Sequence, residues 1–512
     1  LRKLVVWGTL LVGSILAGAV VFVYTYATDG NNLSAMIREH APRFFPGSRL
    51  LTRVQIRPFL GQIELSHIHL VQMVDGRPFP TAEVGWVKIG VDFRALLLDG
   101  KYRPREIEIT HPTLSLRRRA DGSWNLQGLL ADPWPAPPLE TDPPLTIKNG
   151  TIRLVQGDGP ESSLVLLRDV DLRARPAGRR NFYQFEAEAH GGPMAGMTLA
   201  GTFDLRTGRV ELTGGKLLQV NINQAIGPCL PEAQRAQLVD LGLTAGDLDV
   251  AINRIVYDRQ RTARPLDVDL TAWLHNGTLS RPDLPDTLTQ IEALAHLAND
   301  RITIERAEAV NGKTTMRILG GSISALDPVH GPLDLHAEVT NLELDNRLRA
   351  HTPMLEPVWR DFHPVGWIDA AARIVRTQSG EPPKLGLTVN CKDVGLNFVR
   401  FPYPLQHIRG MLKYEGNTLA VDVRTLVGGE WLTSKGTVVD PGPHATVSLE
   451  ITSNGFPVDE TLFAALKPEM AKIARSFHPA GSVRGTARLV RTQKPDGSPE
   501  QVALSGQFDL NP

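Results

Sequence analysis

"PREIEITHPTLSLRRRADGSWNLQGLL", Pro104 to Leu130, is the stretch on which the fold turns. Ile107 and Ile109 alternate with charged residues, and Leu114 and Leu116 alternate again after Pro112. A period of two belongs to a strand with one apolar and one polar face. Asp121-Gly122 then supplies a turn, followed by Trp124, Asn125 and Leu126. Trp124 reads as a packing residue over that turn.

The same grammar extends in both directions. "LTRVQIRPFLGQIELSHIHLVQ" (51–72) carries Val54 and Ile56, then Ile63 and Leu65, then Ile68 and Leu70 across a one-residue slip of phase. A bulge near Ser66 accounts for such a slip. "TAEVGWVKIGVDFRALL" (81–97) alternates through Val84, Ile89 and Val91. "LTIKNGTIRLVQ" (145–156) reads as strand, Asn-Gly turn and strand, because both residues of that dipeptide accept positive φ. Further alternating stretches recur to the end of the chain. Short connections between them predict antiparallel neighbours.

An internal repeat overlies this pattern. Phe362-His363-Pro364-Val365-Gly366 matches Phe477-His478-Pro479-Ala480-Gly481, and Asp345 matches Asp459. A weaker copy ends at Gly246. Each copy predicts a helix of roughly ten to fifteen residues, a length within the ordinary helix range. Asn223, Asp345 or Asp459 begins it as N-cap. Leu462, Phe463, Leu466, Met470 and Ile473 are its expected apolar contacts with the sheet. The recurring His363 and His478 read as structural. A second repeat, strand-turn-strand-turn-strand, covers 287–323 and 404–438.

The 512-residue chain balances 55 Lys plus Arg against 55 Asp plus Glu. That neutrality argues against a nucleic-acid partner, which needs a basic excess. Only Cys229 and Cys391 are present, so no disulfide framework or cysteine metal site is expected. His67 and His69 lack a convincing third ligand, and no metal or cofactor is expected. No G-x-S-x-G elbow or phosphate-binding loop occurs, and the sequence reads as non-enzymatic.

Residues 4–26 carry no charge and follow Arg2 and Lys3. As a helix they would span about 34 Å, enough for a bilayer. The basic pair predicts a single-pass anchor with a cytoplasmic N-terminus. A cleaved signal peptide is the competing reading, though its apolar region is normally only about 7–15 residues. Residues 27–48 are expected to form a juxtamembrane helix and linker. The expected body comprises β units at 49–130, 145–252, 253–375 and 376–512. The proline-dense 131–144 links the first two, and the last unit reads as incomplete.

Pro104–Leu130, with Pro112, Asp121-Gly122 and Asn125-Leu126, resembles the signature of the AsmA-like family, which includes TamB-type proteins. The 404–438 unit, the glycine-terminated repeats and the anchor resemble that family too. The resemblance implies a mainly β fold: a transmembrane helix, then an elongated, curved antiparallel sheet, or repeating β-groove, with short interspersed helices. It implies a bacterial inner-membrane protein with a periplasmic body. Such a body conducts phospholipid or another acyl lipid toward the outer membrane, with an outer-membrane or periplasmic protein as possible partner. The expected groove lining is Val54, Ile56, Ile63, Leu65, Val84, Ile89, Val91, Ile107, Ile109, Leu114, Leu116, Ile152 and Leu154. Arg117 and Arg119 are candidate headgroup contacts, set against a plain polar strand end. The competing reading is an envelope structural or assembly protein with a closed β core.

Overall fold

The computed structural model describes residue 39, residue 95 and most of 45–511. Outside it lie 1–38, 40–44, 58–61, 93–94, 96–102, 120–123, 126–141, 156–162, 193, 223–241, 259, 262–264, 282–283, 285, 443–444, 478–480, 493–500 and 512. The expected anchor, Cys229, Asn223 and His478 therefore lie outside the described residues, as does most of the expected juxtamembrane helix and proline-dense linker. Among the described residues, no helix is long and apolar enough to cross a membrane.

The described chain is mainly β, with 23 strands assigned to one sheet. The first ten are β1 (Ser48–Arg57), β2 (Gln62–Val74), β3 (Arg77–Val91), β4 (Pro104–Arg117), β5 (Leu145–Val155), β6 (Ser163–Pro176), β7 (Phe182–His190), β8 (Gly196–Asp204), β9 (Arg209–Asn221) and β10 (Leu243–Tyr257). Then come β11 (Leu266–Leu279), β12 (Leu288–Ala298), β13 (Arg301–Asn311), β14 (Thr314–Ser324), β15 (Leu333–Leu344), β16 (Val365–Arg376) and β17 (Lys384–Phe398). The last are β18 (Phe401–Glu415), β19 (Thr418–Val427), β20 (Glu430–Val439), β21 (Thr446–Pro457), β22 (Ser482–Thr492) and β23 (Gln501–Asn511). Two compact units divide the chain. Unit 1 holds residues 1–239, 245–275 and 296–299, and unit 2 holds 240–244, 276–295 and 300–512.

Strands β1 to β10 pair in chain order. So do β13 to β23. All these pairs are antiparallel except β4 with β5, which run parallel. The expectation of antiparallel neighbours fails there because the connection 118–144 is long enough to return the chain to its starting end.

Bulges set the phase of the strands. His67 adopts φ 52°, and the β1–β2 register shifts between Leu51 and Arg53. That extra residue brings Ile63, Leu65, Ile68 and Leu70 onto one buried face, as the phase slip near Ser66 implies. The Asn149-Gly150 hairpin does not form. β5 is one continuous strand, with Asn149 at φ 53° inside a bulge. Asparagine's tolerance of positive φ serves a bulge as well as a turn.

Three such bulges, at Asn149, Gln219 and Asn341, share a device with the left-handed Asn276 of β11. The backbone N–H of Asn149, Gln219, Asn276 and Asn341 donates to the carboxylate of Asp171, Asp249, Glu292 and Asp369 respectively, at 2.7 to 3.0 Å. The donor residue is left-handed each time. A carboxylate from another strand thus satisfies an N–H that the left-handed turn of the backbone takes out of the ladder.

In unit 2 the helices are shorter than their sequence suggests. α1 (Asn346–His351) is capped by Asp345, whose side chain accepts from Arg347 and Leu348 N–H. A 3-10 turn (Pro353–Leu355) separates it from α2 (Glu356–Phe362). In the next repeat Asp459 caps α3 (Glu460–Ala465), and α4 (Pro468–Ser476) follows. Pro353 and Pro468 each sit at a helix start, where a missing N–H costs nothing, and so split each expected helix in two. Phe463 is buried, whereas Met470 and Ile473 are exposed and do not cover the sheet as expected.

Candidate functional site

The Pro104–Leu130 signature is organised around Asn125, which is fully buried. Its Oδ1 accepts the Arg117 N–H at 2.9 Å, and its Nδ2 donates to the Ser115 carbonyl at 3.0 Å. Its own N–H donates to the Arg117 carbonyl at 2.9 Å. Nδ2 also lies 3.4 Å from Thr81 Oγ1, which donates to Gln72 Oε1 at 2.7 Å. Side chains from β2 and β3 thereby join the segment that follows β4. Trp124 bridges to Arg118 and packs against the unit 1 core. The sequence singled out Asn125 but gave no sign of its partners Thr81 and Gln72, which lie far away along the chain.

The two candidate headgroup residues are engaged within this motif. The Arg117 guanidinium lies over the Phe79 ring, 5.5 Å from its centroid. Arg119 Nη2 donates to the Asn125 carbonyl at 3.3 Å.

Of the expected groove lining, Ile63, Leu65, Val84, Ile89, Val91, Ile107, Ile109, Leu114, Leu116 and Leu154 belong to one buried cluster in unit 1. Ile152 packs against that cluster. Val54 and Ile56 lie on β1, and their side chains fall outside what is described. Ile89 and Leu116 are each 0% exposed. The structure brings these side chains together, but against one another, so an occupant of that face would have to part them.

Unit 2 uses the same alternation differently. Cross-strand partners share a face, and their register traces an apolar row. Leu387 stands opposite Tyr414, Val389 opposite Leu412, Leu412 opposite Val421, and Tyr414 opposite Leu419. The row continues through Leu419 with Val438, Val438 with Val447, and Leu449 with Leu489. Every one of these side chains is only half-buried. The sequence did not distinguish this face from that of unit 1, since period two says which way a side chain points and nothing of what lies above it.

Glycines shape this face. Gly366, Gly410 and Gly436 adopt φ of 115°, 130° and 151°. Gly436 stands between Val421 and Leu449, in the apolar row. A Cβ there would overlap the Ser448 carbonyl oxygen, and one on Gly410 the Asp422 carbonyl oxygen. Without a Cβ, adjacent strands approach closely on the apolar side.

The opposite face is charged and paired. Arg317 meets Glu308 at 3.1 Å, Arg373 meets Asp334 at 2.9 Å, and Lys435 meets Asp422 at 3.2 Å. The hydrogen bond from Arg373 holds the Asp334 carboxyl below its ordinary range, against a smaller opposing effect of burial. Arg424 lies over the Trp431 ring at 4.5 Å. One face of unit 2 is therefore charged and ion-paired and the other carries a half-buried apolar row.

Little else suggests chemistry. Among the described residues no group of three His, Cys, Asp or Glu is placed to hold a metal. His69 lies 3.9 Å from Glu83, and His363 Nδ1 lies 3.4 Å from the Asn397 carbonyl. Cys391 is a free, buried thiol whose pKa is pushed up by burial. Comparison with known proteins finds no matching family model and no similar curated protein.

Proposed function

We propose that this protein holds or conducts the acyl chains of phospholipid along the apolar face of its sheet. It does so as a periplasmic body tied to the bacterial inner membrane by residues 4–26, in the manner of the AsmA-like proteins it resembles. The observation that carries this reading is the apolar row across β17–β22, half-exposed and backed by a charged, ion-paired face. An antiparallel sheet ordinarily covers its apolar side with a second layer. Each lipid methylene laid on that row would contribute about 0.8 kcal/mol. Residues of several strands can hold successive segments of one chain without fixing any of them, which suits sliding better than a closed pocket does.

The test is site-specific photo-crosslinking in the full chain. A photoreactive residue at Leu412, Val421 or Leu449 should capture lipid in cells. The same residue at the neighbouring Lys413, Asp422 or Glu450, which point the other way, should not. Equal capture from both faces, or from neither, removes the lipid reading.

The packed core of unit 1 favours a second role for that unit: a closed structural body acting through protein contacts. The two roles are compatible within one chain, with unit 1 as support and unit 2 as carrier.

A further inference from the structure

The repeat in unit 2 keeps three matched positions apolar and exposed. Leu355, Val358 and Phe362, along α2 and the turn before it, are 45%, 45% and 40% exposed. Their counterparts Met470, Ile473 and Phe477, along α4, are 57%, 61% and 78% exposed. The spacing i, i+3, i+7 places each trio in one stripe on its helix. The buried residues are Trp359 of α2 and Ala471 of α4, and Phe362 shares its ring between solvent and Phe398 of β17, on which it stacks at 4.9 Å. Both stripes sit where β16 and β22 begin, and the nearby β17–β18 turn adds exposed Val399 and Phe401. Six strand spacings of about 4.8 Å put the stripes roughly 30 Å apart along the sheet, too far to cover one another.

We propose that these two stripes seat this end of unit 2 on the interface of an anionic bilayer. Three features favour a bilayer over a protein. First, the repeat preserves apolarity at all three positions while shape changes at two of them: Leu355 becomes Met470 and Val358 becomes Ile473, and only Phe362 and Phe477 are alike. A protein pocket selects shape, whereas hydrocarbon selects only apolar area. Second, cations border the α4 stripe: Lys467 at its N-cap and Lys472 stand against Glu469, while Arg475 is paired with Glu460 at 2.8 Å, and Arg400 stands between Val399 and Phe401. α2 carries Glu356 and Asp361 against Arg360, which pairs with Asp361, and so supplies apolar area without a positive border. Third, a short helix with Met, Ile and Phe on one side and Lys and Arg on another is the composition of an interfacial helix. The proposal stands on the exposed stripes and is independent of where the acyl chains travel.

The test uses the full chain, its N-terminal apolar segment held in a small nanodisc, mixed with protein-free vesicles of phosphatidylcholine and phosphatidylglycerol. Flotation should carry the protein with the vesicles. Replacing Met470, Ile473 and Phe477 together by serine should reduce flotation about tenfold, and replacing the α2 trio as well should abolish it. In the unaltered chain, vesicles should slow deuterium exchange across 466–477, a readout that needs no variant. Lipid crosslinking at Val421 should survive these substitutions, which separates a failure here from a failure of the carrier reading. Absence of flotation, undiminished flotation of the serine variants, or equal protection of 466–477 through self-association without vesicles would each overturn the proposal.

Discussion

Asn125 Nδ2 donates to the Ser115 carbonyl at 3.0 Å, tying the segment after β4 to the strand it has just left. With the Arg117 N–H on its Oδ1 and a contact to Thr81, the amide uses both its ends inside a dry core. Asn125→Ala would strand a donor and an acceptor, each costing about 1–3 kcal/mol. The expected result is a lower melting temperature for unit 1 and faster deuterium exchange at the Arg117 amide. Asn125→Asp should be worse, since a carboxylate cannot donate to Ser115 and would be charged where no water reaches. Unchanged exchange at Arg117 in both variants would show that the network is ornamental.

Gly436 offers a sharper backbone test. It sits at φ 151°, and any Cβ would meet the Ser448 carbonyl oxygen. Gly436→Ala should cost about 1–3 kcal/mol in backbone strain and force β20 and β21 apart. Gly416, in the β18–β19 turn with open space around it, is the control: its alanine variant has the strain of φ 65° but no clash. Limited proteolysis should cut the Gly436 variant between β20 and β21 and leave the control intact there.

The bulge at Asn341 carries a pH dependence. Burial raises the Asp369 pKa, but bonds from Lys392 and the Asn341 N–H, together with the Lys392 charge, outweigh it and hold the carboxyl below the ordinary aspartate range. A depressed carboxylate contributes stability that is fully present above its unfolded pKa and is lost as pH falls through the folded one. Unit 2 should therefore weaken on acidification below about pH 4, where aspartates ordinarily protonate. Asp369→Asn should start weaker at neutral pH and show a shallower acid limb. Thermal melts at a series of pH values decide it, and parallel limbs for the two proteins would refute the assignment.

These tests bear on features of unequal visibility in the sequence. The strands were legible because alternation is written residue by residue, and the bulge at His67 announced itself as a slip in that alternation. Asp345 and Asp459 were legible as caps because capping is local. Asn149-Gly150 misled, since positive φ is what the dipeptide encodes and both a turn and a bulge use it. Met470 and Ile473 were assigned to the sheet because helical spacing shows a stripe without showing which side is buried. The contrast between a packed unit 1 and a half-open unit 2 was invisible, because it depends on what lies above each face.

That contrast yields the last prediction. Ile89 is wholly buried in unit 1, whereas Val421 and Leu449 of unit 2 keep part of their surface in water. An aspartate at Ile89 must be desolvated without a partner, an effective penalty of several kcal/mol, and should unfold unit 1. Aspartates at Val421 and Leu449 can reach solvent and should cost about 1–2 kcal/mol together, leaving the β circular-dichroism signal in place. If acyl chains lie on that row, the second variant should nonetheless lose most lipid co-purifying with the full chain. Asp422→Asn, on the charged face, should lose none. Mass spectrometry of the retained lipid reads all three variants. A Val421/Leu449 variant that stays folded and keeps its lipid would move the carrier surface elsewhere.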